Sequence, residues 1–404
     1  MKISAVISEF NPFHDGHKYL IDKAKENGST HIVSIMSGNF VQRGDCAVYS
    51  KWDRGMIAVK NGVDLVIEIP TVWSVSSASN FAFAGVNIAE KCGCIDELFF
   101  GSECNDIVSL NKILSVIESD EYKEEFNKIY TSGFSFPSSR KQAFNNLGYT
   151  QLSEILDNSN DILALEYISS LNKIKSKITP VSFKRIGAQH DSDEHNDISN
   201  SASFIRNKIF NGEIKNQFDI HRIKNIEDSI LVKLKTMNID DIKNICDVDE
   251  GLENRIVKAI EKYNNYDDIL EYIKSKRYTL SRIRRILINC LLDIRKEDVY
   301  SKIPYIKIIC FNEKGREVLR KMKDFALLPI IMKSSDVYKT NDKHVVEIYE
   351  KEIAASDIYS LCCDKKEMFA KEQITNAFMV WNYWQKHHIV LKYIYKIIRE
   401  MRKC

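Results

Sequence analysis

The sequence predicts an α/β fold: a Rossmann-like, doubly wound parallel sheet followed by a mainly helical C-terminal region. Two observations carry this. In the first hundred residues, short β-branched-rich apolar runs alternate four times with segments of helical periodicity. That alternation is the pattern of parallel strands joined by crossover helices. Beyond about Ile223, strand-like runs nearly vanish while helical periodicity continues. The expected division is an α/β domain over 1–222 and a helical region over 223–404.

Taken in order, residues 3–7 read as the first strand, short and rich in β-branched side chains. Asn11-Pro12 breaks it, because proline cannot donate to a sheet ladder and restricts the residue before it. A helix follows from Gly16 through Tyr19, Leu20 and Ala24 and closes at Asn27-Gly28. Residues 31–36 form a second strand that opens into a polar loop over 37–45. A helix over 50–61, with Lys51 and Arg54 on its first turns, precedes a third strand at 64–69. A serine-rich loop over 74–79 and a helix over 80–91 lead to a fourth strand at 95–100, which runs into Gly101. Residues 106–131 read as polar helix, and an Asx-rich turn at 158–161 caps a helix over 162–170. The fifth strand spans 178–186 and carries Arg185; Ser201, Ser203 and Arg206 open another helix. In the second half, 305–311 is strand-like, 315–323 helical, and 380–403 a basic, aromatic-rich helix.

The organising stretch is Ser8 to His17. It places His14 and His17, with Gly16 between them, where the first strand hands over to the first helix. In a doubly wound sheet, ligands bind in the crevice at the carboxyl ends of the strands. A helix N-terminus there offers unpaired N–H groups and partial positive charge, which suit phosphate. Paired imidazoles can hydrogen-bond phosphate oxygens and stabilise charge developing on an α-phosphate and its pyrophosphate leaving group. Two histidines at one turn make a poor zinc site, so no metal site is expected. The loop over 37–45 leaves its strand at the same end and is expected to close over this crevice. Ser201 to Arg206 is a second helix start with hydroxyl donors and an arginine, suited to a triphosphate.

Composition sets limits. Hydrophobic residues are 44% and charged residues 28% of 404, which is globular rather than disordered. No apolar run approaches membrane-spanning length, and the N-terminus lacks a secretory pattern, so no membrane is expected. The 10 cysteines are scattered without paired metal spacing and read as reduced thiols of a cytoplasmic protein. The net charge of +2 means that nucleic-acid contact must come from a local patch. Residues 274–296 offer one, with Arg277, Arg282 and Arg285 among eight cations against Asp293 alone, and with Tyr278 as a possible stacking surface.

The His-x-Gly-His turn resembles the signature of the nucleotidyltransferase superfamily, whose members attack the α-phosphate of a nucleoside triphosphate. The longer string from Ser8 to Leu20 resembles more narrowly the tRNA(Met) cytidine acetate ligase family, and the likeness runs along nearly the whole chain. The resemblance implies an enzyme that activates acetate with ATP, with Mg2+ as charge partner, and acetylates the wobble cytidine of elongator tRNA(Met). It implies catalytic roles for His14 and His17. ATP contacts would come from Ile7, Ser8, Glu9, Phe10, Asn11, Pro12, Phe13, Gly16, Lys18, Tyr19 and Leu20, and from Gly101, Asn160, Arg185, Ser201, Ser203 and Arg206. It implies tRNA contacts for the helical region. Where the family reads Gly-Ala-x-Tyr-His-Asp, this chain has Gly187-Ala188-Gln189-His190-Asp191 and lacks the tyrosine. A small-molecule adenylyl- or cytidylyltransferase and a non-catalytic RNA-binding protein are the alternatives.

Overall fold

The computed structural model describes residues 1–185, 201–214 and 217–381. Strands β1 (Ile3–Ser8), β2 (His31–Ser37), β3 (Leu65–Ile69), β4 (Glu97–Ser102) and β5 (Thr179–Lys184) lie parallel in the order β3-β2-β1-β4-β5. The direction of winding reverses between β1 and β4, so the crevice of a doubly wound sheet opens at the carboxyl ends of those two strands. The His14–His17 turn leaves β1 at that point.

The strands bury both faces, and period-2 alternation sends successive residues to different layers. Ile3, Ala5, Val33, Ile35, Leu65 and Ile67 pack in one core with Phe81, Ala84 and Ile88 of helix α3 (Ala78–Lys91). Val6, Ile32, Met36 and Val66 pack on the other side with Ile21 and Ala24 of α1 (Asp15–Glu26) and Ala58 and Val59 of α2 (Lys51–Lys60). Helices α4 (Ser159–Lys173) and α5 (Ala202–Phe210) flank β5 in sequence. The expected polar helix over 106–131 is two helices, Ile107–Glu118 and Asp120–Thr131, because Ser119 ends the first and its hydroxyl caps the second. The serine-rich stretch begins as a short helix, Thr71–Ser74, and Ser77 then caps α3.

The second half supplies helices, among them α6 (Leu280–Leu292), whose Ile283, Ile286 and Leu287 join the first of the two cores. It also returns to the sheet. Strand β6 (Ile306–Phe311) pairs antiparallel with β3, and the short strands β7 (Ile330–Ile331) and β8 (Phe378–Met379) pair with β6. One sheet of eight strands therefore draws on both sides of residue 222. Of the expected helix over 380–403, the residues from 382 onward lie outside the described ones.

Buried charges join the two halves. Lys51 Nζ lies 2.5 Å from Glu68 Oε1, 3.1 Å from Glu352 Oε1 and 2.6 Å from Glu372 Oε2. Lys307 Nζ lies 3.0 Å from Glu68 Oε2 and also pairs with Glu372. Glu68 is on β3 and Lys307 on β6, while Glu352 and Glu372 are on α7 (Lys343–Leu361) and α8 (Lys371–Ile374). All five are buried. Such a cluster persists because each charge finds opposite charge where water cannot reach it.

Candidate active site

Phe10 turns the chain out of β1 in the left-handed region, at φ 46°. That conformation is unfavourable for a bulky residue. It is held by burial of the ring, whose centroid lies 5.0 Å from Phe13 and 4.9 Å from His17. His14 is the N-cap of α1. Its Nδ1 accepts the Gly16 N–H at 3.1 Å, and His17 Nδ1 accepts the His14 N–H at 3.2 Å. Both Nδ1 lone pairs are thus committed, so each neutral imidazole carries its proton on Nε2. The ring centroids are 3.8 Å apart. A Cβ on residue 16 would stand 2.9 Å from His14 Cε1, so glycine here makes room for the imidazole to fold back over the helix start.

Electrostatics keep both rings neutral. Burial lowers the His14 pKa from 6.5 to about 4, with the Arg185 charge helping and Asp15 opposing. Burial, His14 and Arg185 hold His17 well below its ordinary value. The unfolded chain takes up these protons below about pH 6.5 and the folded chain does not. Folding stability should therefore fall as pH drops from 6.5 towards 4. Urea midpoints measured across that range should slope less in His14→Gln; an equal slope in the variant would assign the acid lability elsewhere.

The opposite lip of the crevice comes from β4, α4 and β5. Arg185 Nη1 donates to Asn160 Oδ1 at 2.6 Å, and Asn160 in turn donates to Glu103. Asp161, beside it, accepts from Ser102 Oγ at 2.5 Å and from Glu103 N at 2.9 Å, fixing the turn after β4. A Cβ on Gly101 would come within 2.9 Å of Arg185 Cγ, so this glycine clears the path of the arginine stem. The structure thus brings Gly101, Asn160 and Arg185 together, and the Arg185 charge helps to lower the pKa of both imidazoles. Arg206 joins from α5, donating to the Asn11 carbonyl at 2.6 Å. Ser201 caps α5 by accepting the Phe204 N–H at 3.3 Å, and its hydroxyl lies 2.9 Å from that of Ser203.

Other residues of the first turn are engaged in structure. Lys18 pairs with Asp22, Tyr19 lies under the Lys23 ammonium at 5.5 Å, and Leu20 packs on the core. Ile7 packs against the position of Gly85, and Ser8 Oγ lies 2.9 Å from Ser34 Oγ. Asn11 Oδ1 accepts from Val48 N at 2.9 Å, Pro12 is buried, and Glu9 Oε1 accepts from Gln42 N at 2.8 Å. Lys18, Tyr19 and Leu20 lie on the first turns of α1, directly after the histidine pair.

Arg54 went unrecognised as an organiser. Fully buried, it donates to the Ser37 carbonyl at 3.2 Å and to the carbonyls of Gly38 and Glu9, so it ties the loop over 37–45 to the end of β1. That loop is a wall rather than a lid. Phe40–Val41 and Asp45–Cys46 form a small antiparallel hairpin, and a Cβ on Gly44 would stand 2.4 Å from Arg285 N of α6.

The basic segment is also corrected. An acid-bearing turn before it neutralises much of its charge: Arg277 and Arg282 lie 3.2 and 3.5 Å from Glu250, and Arg285 lies 2.8 Å from Asp247. Arg285 is buried. Tyr278 is buried too, its hydroxyl donating to the Glu250 carbonyl at 2.9 Å, so it offers no stacking face.

The chain matches the HIGH Nucleotidyl Transferase family model over residues 1–373. It is 39% identical over 385 residues to the tRNA(Met) cytidine acetate ligase of Thermoanaerobacter sp. (strain X514), covering 89% of this chain and 95% of that protein. To the tRNA(Met) cytidine acetate ligase of Clostridium kluyveri it is 36% identical over 413 residues, covering 94% and 99%. Crystal structures of Thermotoga maritima TmcAL, 33% identical, superpose with TM-scores of 0.86 for an apo form and 0.84 for a form bound with alpha-thio ATP. Each covers 94% of this chain and 100% of that one. A His-x-Gly-His turn at the switch point of a doubly wound sheet, in a chain that matches these relatives almost end to end, belongs to the HIGH nucleotidyl transferases and, within them, to the tRNA(Met) cytidine acetate ligase family.

Proposed function

We propose that this chain is an ATP-dependent tRNA(Met) cytidine acetate ligase that forms a carbon–nitrogen bond on the wobble cytidine of elongator tRNA(Met). Acetate is a poor electrophile because its leaving group would be an oxide. Its carboxylate oxygen attacks the α-phosphorus of ATP, the bond to pyrophosphate breaks, and acetyladenylate forms. The cytidine N4 then attacks the acetyl carbon, the bond to AMP breaks, and N4 loses a proton. The observation that best supports this reading is the pair of neutral imidazoles whose Nδ1 atoms are committed to the backbone. Their Nε2–H groups are fixed donors for phosphate oxygens gaining charge in the transition state. Arg185 and Arg206 supply cations, the N-termini of α1 and α5 supply partial positive charge with Ser201 and Ser203, and Gly101 and Asn160 shape the nucleotide side.

Mg2+ would accompany ATP as a charge partner for its phosphates. Among the described residues the turn offers no cluster of three or more ligating groups, and Glu9 is committed to Gln42. For tRNA, Lys276 and Arg277 on the exposed rim of the basic segment are favoured as phosphate contacts. Arg277 shares Glu250 with Arg282 but is the more exposed of the two, and the buried Arg285 would have to leave Asp247 to serve in that way. Among the described residues no helix is long and apolar enough to cross a membrane, and the described cysteines are free. We place the enzyme with its tRNA in the cytoplasm.

The acetyl donor decides the reading. Labelled acetate with ATP should label tRNA, with AMP and pyrophosphate appearing in step. Label passing to tRNA from acetyl-coenzyme A without ATP would overturn the mechanism.

A further inference from the structure

Away from the histidine turn, a second chemistry-bearing cluster lies where the chain leaving α5 meets the end of α7. His221 and Cys363 face each other across an isolated antiparallel bridge, with Glu367 beside them. One imidazole nitrogen of His221, the Cys363 sulfur and a Glu367 carboxylate oxygen all lie within 4.8 Å of one another. His221 and Glu367 are 146 residues apart in sequence, so the fold and not local spacing assembles the group. His221 is 1% exposed, and its ring stacks on Tyr359 at 4.1 Å with the planes 10° apart, which fixes its orientation. Its Nε2 lies 3.2 Å from Glu367 Oε2, while its Nδ1 is buried and has no hydrogen-bond partner. An unpaired, buried nitrogen on an imidazole that stands beside a thiol and a carboxylate demands an explanation. The contact between His221 and Glu367 leaves that nitrogen unpaired.

We propose that His221, Cys363 and Glu367 bind a divalent transition-metal ion, with zinc the best chemical match. A mixed nitrogen, sulfur and oxygen donor set suits zinc, whose bonds run about 2.0–2.3 Å, with water completing a tetrahedron. Tetrahedral ligand atoms then stand about 3.3–3.8 Å apart, so closing the group requires movement of about 1 Å. Lys371 Nζ holds Glu367 Oε1 at 2.7 Å, leaving Oε2 turned towards His221, the outer support that a ligating carboxylate needs. On binding, the Cys363 S–H bond breaks, its proton passes to solvent and the thiolate bonds the ion.

The site has a definite mechanical role. The His221 N–H donates to the Val48 carbonyl at 3.0 Å and the Asp364 N–H to the Ile220 carbonyl at 2.9 Å. An ion there would clamp the chain leaving α5, which carries Arg206, to the end of α7.

The test uses the full chain, cleared of metal and incubated with zinc, then desalted and analysed for bound metal; a parallel sample receives cobalt(II). One zinc per chain and a cobalt–thiolate charge-transfer band in the near ultraviolet are expected, both lost in Cys363→Ser. Glu367→Gln should weaken zinc retention while keeping the band, which covers the case of a Cys363 variant that folds poorly. Absence of both bound zinc and the band in the parent overturns the proposal. So does a band that survives in a folded Cys363→Ser, because another cysteine would then hold the metal.

Discussion

Replacing His17 by alanine should lower acetyladenylate formation by about 10²–10³-fold, the usual effect of deleting one fixed donor to a developing oxyanion. Two losses add up in this variant. The Nε2–H donor disappears, and so does the Nδ1 acceptor that holds the His14 N–H and thereby the start of α1. The fold should survive, because the ring is half-buried at a helix end and only one turn depends on it. Pyrophosphate release from ATP and acetate, measured without tRNA, isolates the first step. His17→Gln, which keeps an N–H donor, should recover part of the rate. A folded alanine variant with the parent's rate would remove His17 from the chemistry.

Lys51→Met should destabilise the protein by roughly 3–5 kcal/mol, the cost of breaking a buried ion pair by removing one partner. Methionine fills similar volume, so the loss is electrostatic rather than a cavity. Three carboxylates, Glu68, Glu352 and Glu372, would then face Lys307 alone. Burial alone would push the Glu68 carboxyl up, but Lys307 and Lys51 overturn that and hold it at about 2. Its share of stability is present above about pH 4.5 and lost as pH falls towards 2. Denaturant midpoints should show the drop, and adding Glu372→Gln to Lys51→Met should restore part of it by removing one stranded charge. A Lys51→Met variant as stable as its parent would mean that the cluster contributes specificity and no stability.

The parts of this protein that were legible in the sequence are those whose physics is local. Residues 3–7 and 64–69 announce strands by composition, and Asn11-Pro12 with Gly16 between two histidines announces a turn with a job. The parallel direction of β1 to β5 follows from the strand–helix alternation, whereas the order β3-β2-β1-β4-β5 is set by packing that no local run announces. What was hidden depends on distance along the chain. Lys51 meets Glu352 across 301 residues, and the sole sequence signal was Glu68 standing inside an otherwise apolar strand. Counting charges over 274–296 overstated that patch, because Asp247 and Glu250, which pair with its arginines, lie outside the window. The strand at 305–311 was readable as a strand, yet nothing local says that it lies antiparallel against β3. Tyr278 looked like a stacking surface because exposure cannot be read from a charge run alone.

The late arrival of β6 matters most while the protein is being made. Until the ribosome has released the segment around residue 311, β3 has no neighbour on one side, and its unpaired N–H and C=O groups are a template for other chains. At about 5–20 residues per second, that edge stays open for tens of seconds after β1 to β3 have emerged. Glu68 sits in the open strand, its Oε1 already held by Lys51 of α2 and its Oε2 without its second lysine until Lys307 of β6 arrives. A carboxylate with one oxygen still unpaired is a polar group inside an otherwise apolar edge, and such groups disfavour pairing with a second copy.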